Sequence, residues 1–328
     1  MKGKIYNIVS LVIGLGTLGY MSYKIGLPVI WENILVTGLW FIPVIGSWFI
    51  IYILNALAFR EIIYEKNQPQ TVISFFRILQ ITISGYAINY ITPFVGLGGE
   101  PYRVMQLKKR LSANKAASSV LLYYIMHVFS HIAFWIVAIG LMIFLYPTRN
   151  ILISCFVTFC LFYFLVYWIL KKYKRGLLIQ TFKALQKLPF IKRKIAAFVE
   201  KRKSNLKEID QHIIELFQKR RATFYTSLFF EFMGRVVGCL ELYFIALALR
   251  VDIGILDSFI ISAGSSLFAN LVFFTPMQLG SREGGFVLAL RSIGMAASVG
   301  IFMSLVTRIR ELFWIAVGLL FIPTRPGR

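Results

Sequence analysis

The sequence predicts an all-α, polytopic membrane protein with about six full spans and two re-entrant Gly/Pro hairpins, the halves arranged as an inverted repeat. Three observations carry that prediction. Of 328 residues, 58% are hydrophobic and only 15% charged, with mean hydropathy +0.72. A soluble domain carries about 25% charge, so this chain cannot cover a water-facing surface. Its apolar residues gather into runs near the ~20 that a helix needs to cross hydrocarbon. Its Lys and Arg residues gather between those runs.

Ile5–Tyr23 is the first run. Lys2 and Lys4 before it resemble the start of a signal peptide. The run is too long for a typical h-region and no A-x-A-like site follows, so it is expected to be a retained span. Ile34–Phe59, Ala116–Tyr146, Ile151–Leu170, Thr223–Leu249 and Ser298–Ile322 are the remaining full spans. Tyr23, Trp31, Tyr146 and Tyr173 near span ends read as interfacial anchors. Cys155, Cys160 and Cys239 lie in apolar spans without paired spacing and read as small core hydrophobes.

The net charge is +22, from 36 Lys+Arg against 14 Asp+Glu, and its placement matters more than its size. Residues 171–221 hold 16 basic residues and four acids, and Arg103–Lys115 holds five basic residues and no acid. Basic blocks between apolar spans mark cytoplasmic loops and attract anionic lipid headgroups; nucleic acid is not the expected partner. With the N-terminus inside, the first two spans return the chain to the cytoplasm near Arg60–Lys66. Only Thr71–Thr92, interrupted by Arg77, separates that point from the basic block at Arg103–Lys115. A segment that dips in and returns to the same face reconciles the two. The same trace makes the second Gly/Pro hairpin, near 253–297, enter from the opposite face and leaves Arg325 and Arg328 inside. The expected division is a first membrane repeat at 1–170 with its hairpin near 71–103, a basic cytoplasmic loop at 171–221, and a second repeat at 222–328.

The two hairpins share a pattern. Asn89 precedes Thr92-Pro93 and Glu100; Asn270 precedes Thr275-Pro276, Arg282 and Glu283. Both read T-P-x6-E with Gly in the spacer. Pro removes a backbone donor and stops a helix, while Gly permits tight turns. Irregular backbone at membrane depth is tolerated only inside protein or along a watery cavity. One such element per half, entering from opposite faces, points to an inverted-repeat transporter.

Charged residues also occur within the spans. Glu231 and Arg235 are four apart and share a helix face, with Glu241 further along; Arg308, Arg310 and Glu311 sit in the middle of the last span. Each such charge costs about 2.5–3.5 kcal/mol at the bilayer centre on insertion scales, so it is expected to meet a partner or a cavity. Structural ion-pairing between the last two spans and a polar path for a charged headgroup both satisfy that requirement. His127 and His131 are likewise four apart; with no H-E-x-x-H pattern or third ligand, polar packing is expected in place of a metal.

The segment N-x-x-T-P-F-x-G-x-G-G-E-P-Y-R (Asn89–Arg103), followed by T-P-x3-G-x-R-E-G-G (Thr275–Gly285), resembles the lysylphosphatidylglycerol synthase transmembrane-region family, also described as flippase-like domain proteins. The resemblance covers essentially the whole chain and is similar to the membrane half of the multiple peptide resistance factor, without its soluble aminoacyl-transfer domain. It implies movement of a polar-headed lipid, phosphate-bearing or aminoacylated, between leaflets. Synthesis of a lysyl-lipid by these residues is not expected.

The leading reading is thus a lipid flippase in the plasma (inner) membrane, both termini cytoplasmic, with anionic or aminoacylated lipids as partners. Asn89, Thr92, Pro93, Glu100, Arg103, Glu231, Arg235, Asn270, Thr275, Pro276, Arg282, Glu283, Arg308, Arg310 and Glu311 are its expected binding and translocation residues. No P-loop, G-x-S-x-G or Rossmann fingerprint occurs. No cofactor is therefore expected, and transport is expected to be passive, ion-coupled or driven by a partner. The alternative is an intramembrane enzyme modifying lipid headgroups, with Glu100 or Glu283 as general base assisted by His127 or His131. A third option is a scaffold whose basic loop docks a lipid-synthesising enzyme.

Overall fold

The computed structural model describes residues 23, 26–64, 73–92, 98–172, 180, 182, 199–200, 203–272 and 280–322. Pro93, Thr275, Pro276, the expected first span apart from Tyr23, and the C-terminal arginines lie outside the described residues. Regular structure within them is helical, and the chain is an all-α polytopic membrane protein. Leu27–Ile63, Ala113–Leu145 and Arg221–Leu249 are long and apolar enough to cross a membrane, with shorter apolar helices at Arg149–Phe164 and Ile255–Leu271.

Helix α1 (Leu27–Thr37) starts with Pro28 in its first turn, where the missing N–H costs nothing. A 3-10 turn at Gly38–Trp40 joins it to α2 (Phe41–Ile63). Gly38 takes φ 56° at that joint, a conformation that favours glycine. The apolar stretch therefore extends beyond both ends of the expected Ile34–Phe59 span.

The first hairpin comprises α3 (Phe75–Ile91) and α4 (Gly99–Leu107). Ser74 caps α3 by accepting from the Arg77 N–H at 3.3 Å. Arg77 reaches Gln106, Gly85 abuts Arg103, and Asn89 accepts from the Gly99 N–H, so α4 runs back antiparallel along α3. Gly85 and Gly99 make this approach possible: a Cβ on Gly99 would overlap the Gly85 carbonyl, and one on Gly85 would lie 2.5 Å from Arg103 Nε. Helix α5 (Ala113–Leu145) follows, capped by Ser112, and then α6 (Arg149–Lys172). Cys160 on α6 is exposed, so only Cys155 and Cys239 fit the core role expected for all three; each of the three is a free thiol.

Helix α7 (Lys203–Gln218) lies within the basic segment and seats Leu206, Ile213 and Leu216 against the bundle. Helix α8 (Arg221–Leu249) packs along α2 and ends at Arg250 in the left-handed conformation. The second hairpin is α9 (Ile255–Leu271) and α10 (Ser281–Ser292). Asp257 and Glu283 each accept the backbone N–H three residues earlier, at 3.0 and 2.8 Å, steadying the first turns of α9 and α10. Contacts of Gly264 with Ala289 and of Gly284 with Phe268 make this pair antiparallel too. Helix α11 (Ala297–Leu320) packs on both α3 and α10 and so links the hairpins.

One core cluster joins α2, α3 and α5 through Tyr52, Phe59, Ile78, Tyr123 and Met126. Another joins α2, α8, α9, α10 and α11 through Val44, Leu242, Ile261, Phe286 and Val306. At the α3–α11 crossing, a Cβ on Gly318 would come within 2.5 Å of the Ala87 Cβ and 3.0 Å of the Ile83 carbonyl. Small residues let membrane helices approach this closely, where packing must replace the hydrophobic drive. Gly318→Leu is therefore expected to destabilise the protein by about 1–3 kcal/mol through overpacking, read as a lower thermal midpoint in detergent. Gly140→Ala, with nothing within 4 Å of the new methyl group, is the matched control and leaves the midpoint unchanged or higher.

Candidate functional site

A cavity of about 350 Å³ lies among α2, α3, α5, α8, α9, α10 and α11. Asn89 and Thr92 of the first hairpin and Asn270 and Arg282 of the second all line it, along with Glu231, Arg235, Arg310, His127 and His131. The two repeated motifs thus meet at one polar space.

Glu241 forms its best-connected wall. Arg310 Nε and Nη2 donate to the two Glu241 carboxylate oxygens at 2.8 and 3.1 Å, and Trp48 Nε1–H donates to Oε2 at 2.6 Å. The Arg310 guanidinium also lies 3.7 Å from the Trp48 ring centroid, a close cation–π contact. Each partner thereby satisfies the other's charge inside a low-dielectric bundle. Glu311, next in sequence, pairs with Arg282 across the α10–α11 contact and lies 3.8 Å from Arg310 Nη1.

Glu283 ties the second hairpin to α11. Its Oε2 holds the α10 N-terminus, while Oε1 accepts from Arg308 Nε at 2.7 Å and Ser304 Oγ at 3.1 Å. Glu100 has the matching place in the first hairpin: its Oε1 accepts from Asn89 Nδ2 at 3.2 Å and Arg103 Nη1 at 3.1 Å. Asn89 Oδ1 in turn accepts from the Gly99 N–H at 2.6 Å. Arg103 is 2% exposed and stacks over Tyr86 and Tyr123, with centroid distances of 4.9 and 5.4 Å. It is an interior charge, whereas Lys108, Lys109 and Arg110, its neighbours in the basic block, are exposed on the following turn. Desolvation and the nearby Arg77 pull the Lys109 ammonium below its ordinary pKa.

Glu231 and Arg235 do not close the expected pair with each other; both turn to α5. Glu231 Oε2 meets His127 Nδ1 at 2.8 Å, while Arg235 donates to Ser130 Oγ at 2.8 Å and to the His127 carbonyl at 3.0 Å. For the enzyme alternative, the hydrogen-bond partner of His127 differs from the one expected. The carboxylate beside His127 is Glu231, and neither Glu100 nor Glu283 lines the cavity. His131 sits edge-on to His127 with ring centroids 5.2 Å apart and packs on Trp135 at 5.0 Å. Among the described residues no three His, Cys, Asp or Glu side chains converge as a metal site.

Ion-pairing between the last two spans, one of the two roles expected of their charges, is formed by Glu241 and Arg310, although the sequence did not say which acid meets which arginine. Trp48, Asn55, Tyr86 and Tyr123 carry no sequence signal that sets them apart from other polar or aromatic residues in spans. Their placement arises from helix packing: Tyr86 Oη lies 3.1 Å from Asn55 Nδ2, 3.2 Å from Tyr123 Oη and 3.3 Å from His127 Nδ1.

Helical spans surrounding a cavity lined by charged, polar and aromatic side chains define a multi-pass membrane protein with an open chamber among its helices. A family model described as lysylphosphatidylglycerol synthase TM region matches residues 7–318, and the chain belongs to that family. Its function is accordingly related to membrane lipids. No curated protein matches the chain at significance, and no solved structure does.

Breaking one partner of a buried ion pair leaves an uncompensated charge and costs about 3–5 kcal/mol. Glu241→Gln is expected to lower thermal stability in detergent on that scale, whereas Glu241→Gln combined with Arg310→Met recovers much of the loss. Equal destabilisation by the single and double variants would show that Arg310 does not depend on Glu241.

Proposed function

We propose that the protein moves a polar-headed lipid, phosphate-bearing or aminoacylated, from one leaflet to the other, with the headgroup passing through the chamber while the acyl chains stay in lipid. The single observation that supports this reading most is the convergence of both hairpin motifs on one charged cavity. Paired guanidinium and carboxylate groups lower the barrier to carrying a charged headgroup through hydrocarbon, because the headgroup exchanges water for fixed partners. Asn89, Thr92, Asn270 and Arg282 contact the headgroup from the hairpins, and Glu231, Arg235 and Arg310 from the helices. Glu100, Arg103, Glu283, Arg308 and Glu311 hold the hairpins in register from behind.

In this reading the hairpins are re-entrant and the halves 1–170 and 222–328 form an inverted repeat. The protein lies in the plasma membrane with cytoplasmic termini, and the loop at 171–221 faces anionic cytoplasmic lipid or an enzyme that makes the transported lipid.

The test is leaflet accessibility of fluorescent phosphatidylglycerol, phosphatidylethanolamine and lysyl-phosphatidylglycerol in liposomes holding the purified protein. Protein-dependent movement of at least one headgroup class is expected. Arg282→Ala should slow it by about tenfold, equal to about 1.4 kcal/mol of barrier, while the variant still elutes as a folded protein. Unaltered rates in Arg282→Ala would sink the site assignment. A lipid product of changed mass without leaflet exchange would favour a headgroup-modifying enzyme.

A further inference from the structure

Among the described residues, the cavity-lining Arg282 and Arg310 meet Glu311 and Glu241, and Arg103 and Arg308 beside them meet Glu100 and Glu283. Arg235 differs. Its contacts are the Ser130 hydroxyl and the His127 carbonyl, both neutral, and among the described residues no carboxylate lies within 4.0 Å of it. One turn earlier on α8, Glu231 contacts not an arginine but an imidazole, His127 Nδ1 at 2.8 Å. The Glu231 side chain is 1% exposed and its Oε1 is buried without a hydrogen-bond partner, whereas the His127 side chain is 27% exposed and lines the cavity. Both residues line the cavity, so a proton entering from it meets the hydrogen-bonded imidazole–carboxylate pair, the imidazole being the more exposed of the two.

We propose that His127, Glu231 and Arg235 form a proton-binding site that couples proton movement to passage of an anionic headgroup. This rests on the transport reading above and names its driving ion and charge class. The argument is one of charge balance. With a neutral imidazole, the carboxylate and the guanidinium cancel and the trio is neutral. Adding one proton leaves the trio with a single positive charge, whether that proton resides on the imidazole or on the carboxylate. An uncompensated charge is unfavourable in a buried site, and an anionic headgroup in the adjoining cavity supplies the missing counter-charge. Proton and anion then strengthen each other's binding, and the linkage is reciprocal. A zwitterionic headgroup brings no net charge and gains nothing. One proton is taken from the medium at one face and released at the other, and no bond in the lipid changes.

The surrounding groups leave this balance intact. Helix α3 presents the Tyr86 hydroxyl to His127, and α5 adds Tyr123 and His131. Helix α4 contributes Arg103, already balanced by Glu100, and α9 faces the cavity with serines and Asn270. Helix α2 contributes Asn55 and Tyr52 beside Tyr86, and α11 contributes Arg310, balanced by Glu241. Of the groups nearby, His127 and His131 carry the side chains that ordinarily titrate at about pH 5–8, and the carboxylate contact belongs to His127.

Two measurements on the full chain test the proposal. The first is nitrogen-15 histidine NMR in detergent, with the His127 signal assigned by its loss in His127→Gln. The His127 signal is expected to titrate as the pH is lowered. Short-chain phosphatidylglycerol should raise its midpoint by about one pH unit, a tenfold gain in proton affinity; short-chain phosphatidylcholine should not. The second uses liposomes containing fluorescent phosphatidylglycerol and an imposed pH gradient. The wild-type protein should concentrate the probe in one leaflet beyond equal distribution, and Glu231→Gln should abolish that excess. A His127 signal that stays in one protonation state, or a midpoint indifferent to phosphatidylglycerol, overturns the proposal. Movement of phosphatidylglycerol that ignores the gradient overturns the coupling and leaves the transport reading standing. Absence of any phosphatidylglycerol movement sinks that lipid as substrate and the coupling with it.

Discussion

Charge in a low-dielectric bundle needs an opposite charge beside it, and the interior of this protein is arranged around that requirement. Arg310 meets Glu241, Arg282 meets Glu311, and Arg308 meets Glu283, each pair bridging two helices. Such pairs add little net stability compared with apolar packing, but their geometry is demanding. A helix that shifted by one turn would strand several charges at once. The pairs therefore fix the register of α11 against α8 and α10 more firmly than interchangeable aliphatic contacts can.

The hairpins depend on that frame. A polypeptide that reverses within a bundle exposes backbone groups that water would otherwise satisfy. Side chains take over that work: Asn89 accepts the first N–H of α4, and Glu283 accepts the N–H of Gly280 before α10. Glu283 is also the partner of Arg308, so the device that ends the second hairpin's turn is bonded to the central helix. In the first hairpin the corresponding Glu100 bonds within its own hairpin, to Arg103 of α4 and Asn89 of α3. The helix-start N–H is thus accepted by Glu283 in the second hairpin and by Asn89 in the first, and the two motif glutamates have different attachments.

Some groups of the chamber are incompletely satisfied, as are Glu100 and Arg103 beside it. Glu231 keeps one oxygen without a hydrogen bond, and Arg235 has neutral partners. A network built for stability alone gains nothing from such gaps, because a half-satisfied polar cluster is worse than an apolar one. Gaps of this kind are useful where a proton or a headgroup enters and leaves, since a site that is too well satisfied has no reason to bind either.

The sequence by itself determined the class. Hydrophobic composition, span lengths and clustered basic residues leave no alternative to a helical membrane protein, because only chain segments that satisfy their own backbone survive in lipid. The repeated T-P-x6-E motif likewise located both helix hairpins, since Pro and Gly interrupt helices wherever they occur. Tertiary structure decided the partners. Glu231 and Arg235 share a helix face, which made a mutual pair the natural expectation, but α5 offers His127 and Ser130 at closer and better-directed positions. Arg103 read as part of a loop charge block, yet the small residues of α3 let its guanidinium pack inside against Tyr86 and Tyr123. Periodicity reports which face of a helix a residue occupies; which neighbour fills that face depends on how helices distant in sequence cross, and that is set by shape and charge in three dimensions.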